Sequence, residues 1–243
     1  MCTRGKSLSL LIVVIVLRFD PAVAADFVGI PRIVDGDTVQ IDSAKIRLQG
    51  IDAPETDQIC LDASRKRWNC GLEVRDRLIA KGGGKVWSCR SSSVDRYGRA
   101  LASCEADGTN LNRWLVRSGW ALSFTRYSHE YDADERVARD AKAGLWSGAF
   151  IAPWDWRSRN IKTEILGAVS VPTDAQSLLL APAPDAPSPD CAIKGIVNRN
   201  GECIYHLPGA RYYSTVKMET GKGKRWFCSE LEAEAAGCRR SSK

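Results

Sequence analysis

Apolar residues in the first half of the chain come in short runs separated by polar turns. An extended, apolar-rich stretch covers residues 26–35, Thr38–Ile41 follows the Asp35-Gly36-Asp37 interruption, and Lys45–Ile51 follows the polar turn Asp42-Ser43-Ala44. Runs of this length bounded by turn residues predict three strands in quick succession. Leu72, Arg75, Leu78 and Ile79 then recur at helical spacing, and Gly82-Gly83-Gly84 marks the end of that helix. Strands are expected again over Lys85–Cys89 and Arg99–Ala106. Asn110 is placed to cap a helix carrying Leu111, Trp114 and Leu115 on one face, Gly119 sits where a C-terminal glycine belongs, and a last helix is expected over Asp132–Lys142. Five strands with three helices predict a small closed barrel with helical packing, an OB-like architecture of α+β class.

The pattern changes after Arg159. Residues 161–190 include Ala181-Pro182-Ala183-Pro184-Asp185-Ala186-Pro187-Ser188-Pro189, a composition that favours an extended, semi-rigid linker. Residues 191–243 are then a second unit, of a size at which covalent staples are usually needed. At the other end, Arg4 and Lys6, the apolar run Leu8–Leu17 and Ala22-Val23-Ala24 read as a secretory signal cleaved before Ala25. Arg18, directly behind the run, keeps an uncleaved anchor as the alternative. The expected organisation is a signal peptide over 1–24, a barrel domain over 25–160, a Pro/Ala-rich linker over 161–190 and a small cysteine-containing domain over 191–243.

With 35 basic and 29 acidic residues the formal charge is +6. Removing Arg4, Lys6, Arg18 and Asp20 with the signal leaves 32 and 28, a net +4 that permits attraction to polyanions without demonstrating it. A hydrophobic content of 44% excludes a disordered chain. Beyond Cys2, the cysteines fall into Cys60, Cys70, Cys89 and Cys104, and Cys191, Cys203, Cys228 and Cys238, an even split that suits disulfides in an oxidising compartment. Cys60 with Cys70 and Cys89 with Cys104 are the preferred pairings. The last four lack paired CxxC spacing, so two disulfides are favoured there over a metal. His129 and His206 are the only histidines, which argues against a histidine-based zinc site. Trp120, Trp146, Trp154 and Trp156 are read as core, not as a base-stacking row.

Four short segments carry candidate chemistry: Asp35-Gly36-Asp37-Thr38, Ile46-Arg47-Leu48, Ile51-Asp52-Ala53-Pro54-Glu55-Thr56 and Asp95-Arg96-Tyr97-Gly98-Arg99. Each alone has an ordinary reading as a turn or a solvated strand face. Together they offer carboxylates for a hard cation, guanidiniums that grip a phosphate by two parallel hydrogen bonds, and a spare glutamate to activate water. Their order, continued by Leu115-Val116-Arg117 with Gly119 and by Gly144-Leu145-Trp146, resembles the staphylococcal nuclease (thermonuclease) family from about Val34 to Trp146. That resemblance implies an OB barrel with three helices. It implies that Asp37, Asp52 and the Ala53 carbonyl bind Ca²⁺, with Asp35 and Thr38 behind them. Arg47 and Arg99 would hold the scissile phosphate, Glu55 would position or deprotonate the attacking water, and Tyr97 and Tyr127 would flank the nucleotide. The product would carry a 3′-phosphate.

Two positions depart from the best-known member of the family. Ala53 stands where it has threonine, and the stretch from Asp57 to Asn69 leads into a Cys60–Cys70 loop instead of a flexible segment. The C-terminal unit is similar to a small module, sometimes called the sunset domain, at the ends of exported bacterial proteins. Lys217, Lys222, Lys224 and Arg225, interleaved with aromatics, suit either a polyanion or cell-wall contact or a solvated basic face around a small aromatic core. The sequence therefore predicts a secreted or periplasmic, calcium-dependent nuclease for DNA and RNA, monomeric and free of the membrane once the signal is removed. Two alternatives stand beside it. One is an OB barrel that binds nucleic acid or oligosaccharide without cutting. The other is an accessory protein of exopolysaccharide (succinoglycan) biosynthesis, since nucleases resembling this one occur in such gene clusters.

Overall fold

The computed structural model describes residues 25–160, 162–172, 179–180, 185–218 and 223–242. The signal expected over 1–24 lies outside them. The first strands follow the polar punctuation: β1 (Ala25–Gly29), β2 (Arg32–Ile33), β3 (Thr38–Ile41), β4 (Ala44–Leu48) and β5 (Ile51–Asp52). Val39, Ile41, Ile46, Leu48 and Ile51 are buried almost completely, and burial of one face fixes the register of these short strands.

Next come β6 (Cys60–Leu61), β7 (Arg67–Trp68), α1 (Cys70–Gly82), β8 (Trp87–Val94), β9 (Ala100–Ala106), β10 (Thr109–Asn110) and α2 (Leu111–Arg117). After these lie β11 (Leu122–Ser123), α3 (Asp132–Asp140), β12 (Ala149–Ile151), α4 (Pro153–Ser158) and β13 (Ile165–Gly167). The main sheet runs β1-β8-β9-β4-β3-β2, with β10 added to β9, and it curls into a half-barrel. Its pairs are antiparallel except β4 with β9. β5 pairs with β11, while β6, β7, β12 and β13 form another sheet. Where the sequence predicts five strands, the described residues show more and shorter ones, because turns and a bulge between Ser91 and Ser93 break the ladders.

The helices show where periodicity misleads. In α1 the buried face is Cys70, Gly71, Val74, Leu78 and Gly82, whereas Ile79 is 44% exposed. Asn110 caps α2 by accepting the Arg113 N–H at 2.8 Å. Gly119 has φ +75°, and a Cβ there would lie 2.1 Å from the Ala143 carbonyl oxygen, so the chain after α2 can meet the 143–146 turn only at a glycine. Trp146 and Trp156 are buried, and Trp120 and Trp154 pack at the edges of the core. Cys60 is joined to Cys70, and Cys89 to Cys104 directly across β8 and β9.

The C-terminal module contains β14 (Ile193–Val197), β15 (Cys203–His206), β16 (Lys224–Phe227), α5 (Glu230–Ala235) and β17 (Arg239–Arg240), with strand order β16-β14-β15-β17. Ile193, Tyr205, Phe227, Ala233 and Cys238 form its core, stapled by Cys191–Cys228 and Cys203–Cys238. The segment between the two units packs against the first: β13 pairs with β12, and Leu179 and Leu180 are buried with Ile151 and Trp156. Among the described residues no helix is long and apolar enough to cross a membrane.

Candidate active site

The turn between β2 and β3 is closed by Asp35, whose Oδ1 accepts the backbone N–H groups of Asp37 at 2.9 Å and Thr38 at 2.6 Å. Pairing of β3 with β4 sets Arg47 opposite Thr38. Arg47 Nη1 donates to Asp37 Oδ1 at 2.8 Å and its Nη2 to Asp52 Oδ1 at 2.6 Å, so one guanidinium spans carboxylates from two strand ends. Asp37 also accepts the Thr38 hydroxyl at 3.1 Å and the Ala53 N–H at 3.0 Å. Asp52 is wholly buried and accepts Arg157 Nη1 at 3.0 Å and Nη2 at 2.7 Å.

Beyond Pro54 the chain packs tightly on the start of α1, and a Cβ at Gly71 would lie 1.6 Å from the Glu55 carbonyl oxygen. The Glu55 side chain takes Arg157 Nη1 at 2.8 Å on Oε1 and Arg225 Nη2 at 2.5 Å on Oε2. Burial favours the neutral carboxyl, but Arg225 and then Arg157 outweigh it and hold Glu55 at about 2. Asp57 is completely buried, accepts the Trp226 N–H at 2.8 Å and faces Arg225 Nε at 3.6 Å. The Thr56 hydroxyl donates to Glu232.

The hairpin between β8 and β9 supplies the opposite side. Asp95 Oδ1 accepts the N–H groups of Tyr97 at 2.8 Å and Arg99 at 3.0 Å, and its Oδ2 accepts Arg99 Nε at 2.7 Å. Burial raises the Asp95 carboxyl, and these bonds from Arg99 overcome it to leave a net lowering. Asp35, Arg47, Glu55, Tyr97, Arg99 and Tyr127 line one cleft of about 900 Å³, together with Arg157, Arg225 and Glu232. Tyr97 and Tyr127 are exposed, each within 6 Å of an arginine guanidinium.

The Asp37 and Asp52 carboxylates are oxygen donors of the kind the implied ion takes, and here they are bonded to Arg47 and Arg157, so holding a cation would require those guanidiniums to give up part of their contact. Six carboxylates (Asp35, Asp37, Asp52, Glu55, Asp57, Glu232) gather around four guanidiniums (Arg47, Arg157, Arg159, Arg225), and burial raises the carboxyls of Asp35, Asp52, Asp57 and Glu232, so the cluster carries less negative charge than its count of acids. Burial, then Asp37 and Glu55, push the Asp35 carboxyl up to about 7. All available ligand atoms are oxygens, as calcium requires. No group of three or more acidic, histidine or cysteine side chains converges as a metal site among the described residues. Asp37 and Asp52 make two, so a carbonyl and water would complete the shell.

The family model for the staphylococcal nuclease homologue matches residues 45–148. An uncharacterised endonuclease of Escherichia coli O157:H7 is 38% identical over 148 residues, spanning 57% of this chain and 90% of that protein. The chain belongs to the staphylococcal nuclease homologues. A micrococcal nuclease of Shigella flexneri is 34% identical over 152 residues (55% of this chain, 82% of that protein). A succinoglycan biosynthesis protein, ExoI, of Rhizobium meliloti (strain 1021) is 31% identical over 144 residues (58% and 75%). The family domain is an OB-fold, and this chain is a hydrolase of the nuclease class.

Sequence reasoning missed Arg157, Asp57, Glu232 and the placement of Arg225. Arg157 and Arg225 lie beyond the residues that the nuclease family model matches. Arg225, read as part of a basic face open to solvent or a polyanion, is instead turned onto Glu55 with only 16% of its side chain exposed. Strand alternation in Lys224-Arg225-Trp226-Phe227 carries some signal, since Arg225 must share a face with Phe227.

Proposed function

We propose that this nuclease is an exported, calcium-dependent, sugar-nonspecific endonuclease that cuts DNA and RNA and leaves 3′-phosphates. The observation that carries the reading is the convergence of Arg47, Glu55 and Arg99 on one cleft, with Asp37 and Asp52 buried directly behind Arg47. Asp37, Asp52 and the Ala53 carbonyl would hold Ca²⁺, which when bound supplies positive charge to the phosphate oxygens. Arg47 and Arg99 grip the scissile phosphate and stabilise the charge that develops as water adds to phosphorus. As the water oxygen bonds to phosphorus the P–O5′ bond breaks, its electron pair leaves with O5′, and the proton that the water releases to solvent balances the one that O5′ takes up. Glu55 is ionised at neutral pH, and at its low basicity it aligns the water as an acceptor more than it stores a proton. Tyr97 and Tyr127 offer aromatic faces on which any base can stack, which suits tolerance of sequence and sugar. Four disulfides support an extracellular or periplasmic location.

The test is digestion of single-stranded DNA, duplex DNA and RNA, with calcium or with chelator, by the wild type, Glu55→Ala and Arg99→Ala. We expect cutting only with calcium and losses of about 100-fold or more in each variant. Calcium-independent cutting, or undiminished cutting by both variants, would sink the mechanism. Tight retention of nucleic acid with no new 3′-phosphate ends would instead favour a binding barrel. The name of the Rhizobium meliloti relative favours one second reading, an accessory role in exopolysaccharide production, and unchanged polymer in a deletion strain would remove it.

A further inference from the structure

The C-terminal module meets the nuclease domain on its active-site face: at the loop that carries Glu55, at Lys45, which donates to Glu234 at 3.1 Å, and at Tyr97, whose ring lies against Gly237. Residues 55, 56 and 57 each bond to it: Glu55 to Arg225, Thr56 to Glu232, and Asp57 to the Trp226 N–H. The Arg225 guanidinium is fixed from several sides, with Glu55 at 2.5 Å, Asp57 at 3.6 Å, Glu232 at 3.9 Å and the Phe227 ring centroid at 4.7 Å. A guanidinium so enclosed has little rotamer freedom left, and whatever it binds inherits its position.

Two arrangements would put an arginine on Glu55: a removable cover and a permanent wall. A cover needs a free tether and a closed mouth. Here the tether is itself packed, with Leu179 and Leu180 buried against Ile151 and Trp156, and Asn69 Nδ2 donating to the Pro187 carbonyl at 3.1 Å. Arg159, just past α4, donates to the Lys224 carbonyl at 2.9 Å and anchors β16 from the nuclease side. The mouth is open, because Arg225 and Glu232 line the same cleft as Arg47, Glu55 and Arg99 and do not fill it. These observations favour the wall.

We infer that the C-terminal module is a built-in wall of the active site, and that its Arg225 is a positioning residue that holds the Glu55 carboxylate in the orientation required for catalysis. The inference rests on the reading of Glu55 as the water-aligning group. Arg157 holds one carboxylate oxygen from within the nuclease unit, and Arg225 holds the other from the module. Together they fix the plane of the carboxylate, which one bond would leave free to rotate.

The test is steady-state cleavage by the full chain as wild type, Glu55→Ala, Arg225→Ala, Arg225→Lys and the Glu55→Ala/Arg225→Ala double variant, with thermal unfolding of each. An orienting group one bond away from the chemistry typically contributes about 10- to 100-fold, so Arg225→Ala is expected to lose that factor in kcat while KM stays within about threefold. In the Glu55→Ala background the same change should remove no more than about twofold, because the group it orients is gone. Should Arg225→Ala melt below the assay temperature, Arg225→Lys decides: it keeps the charge among the carboxylates but loses the fork, and kcat should still fall several-fold. Wild-type or faster cutting by Arg225→Ala would overturn the inference and mark the contact as a cover. An equal loss in both backgrounds would overturn it too, since Arg225 would then act on substrate or on the fold. Full activity of Glu55→Ala would overturn the Glu55 assignment itself, an outcome separate from full activity of Arg225→Ala alone.

Discussion

The two sides of the cleft are built on different scales of sequence. Arg99 is held by Asp95, four residues before it, inside one hairpin turn. Glu55 is held by Arg157 and Arg225, which lie 102 and 170 positions further along the chain. A local device works wherever its turn folds, because the residues that make it are ordered together. A long-range device works only once separate units have docked, so its strength is tied to the stability of their interface.

The sharpest way to break this contrast is Asp57→Ala. Asp57 is fully buried between Arg225 and Arg159 and accepts the Trp226 N–H. Removing it leaves buried guanidiniums without that carboxylate and a buried donor without an acceptor, which costs about 3–5 kcal/mol by the usual penalty for breaking a buried charge cluster. Chemical denaturation measures it. A loss below about 1 kcal/mol would mean that the module is not held through its charges.

The same contrast explains what could be read from the chain before its fold was known. Asp35, Arg47, Asp52, Glu55, Asp95 and Arg99 sit in short segments whose turn chemistry is visible locally, and that they belong to one site is implied by the order of those segments and their resemblance to the staphylococcal nuclease family. Arg157 follows two tryptophans that announce a core, and nothing in Trp154-Asp155-Trp156-Arg157 says that its last side chain crosses to Asp52. Arg225 sits in a lysine-rich stretch and looks like surface, because the carboxylates that bury it belong to another unit. Ile79 fails for a related reason: helical spacing defines a face but not its centre, and Val74 with Leu78, not Ile79, meets the barrel. The short β6, β7, β12 and β13 were equally illegible, since strands of two or three residues exist only where a partner edge is supplied.

Glu232 sharpens the contrast through pH. Burial drives its carboxyl up to about 8, against the opposing pull of Arg225 and the Thr56 hydroxyl. A carboxyl whose folded value lies above its unfolded value favours folding while both states are protonated, and that advantage is lost as pH rises from about 4.5 to about 8, because the unfolded chain releases its proton first. Glu232→Gln keeps the shape and removes the proton. Its stability relative to wild type should therefore rise between pH 5 and pH 8.5, by on the order of 1–2 kcal/mol once relaxation is allowed for. Parallel stability curves for the two proteins across that range would show that the docked interface does not hold Glu232 neutral.

Asp95→Asn gives the smallest effect on stability, and it tests the local half of the comparison. An asparagine side-chain oxygen can still accept the N–H groups of Tyr97 and Arg99, so the turn keeps its shape. What disappears is the charge at Oδ2 that fixes Arg99 Nε. Because that pair lies at the cleft edge and Asp95 keeps some access to water, the loss in unfolding free energy should be about 1 kcal/mol. Arg99 nevertheless becomes free to leave the phosphate position, so kcat should fall by about tenfold. Unfolding monitored by tryptophan fluorescence, alongside cleavage rates, separates the two quantities. A stability loss as large as that of Asp57→Ala would show that the hairpin, too, is held from a distance, and the division between a local grip and a long-range one would fall.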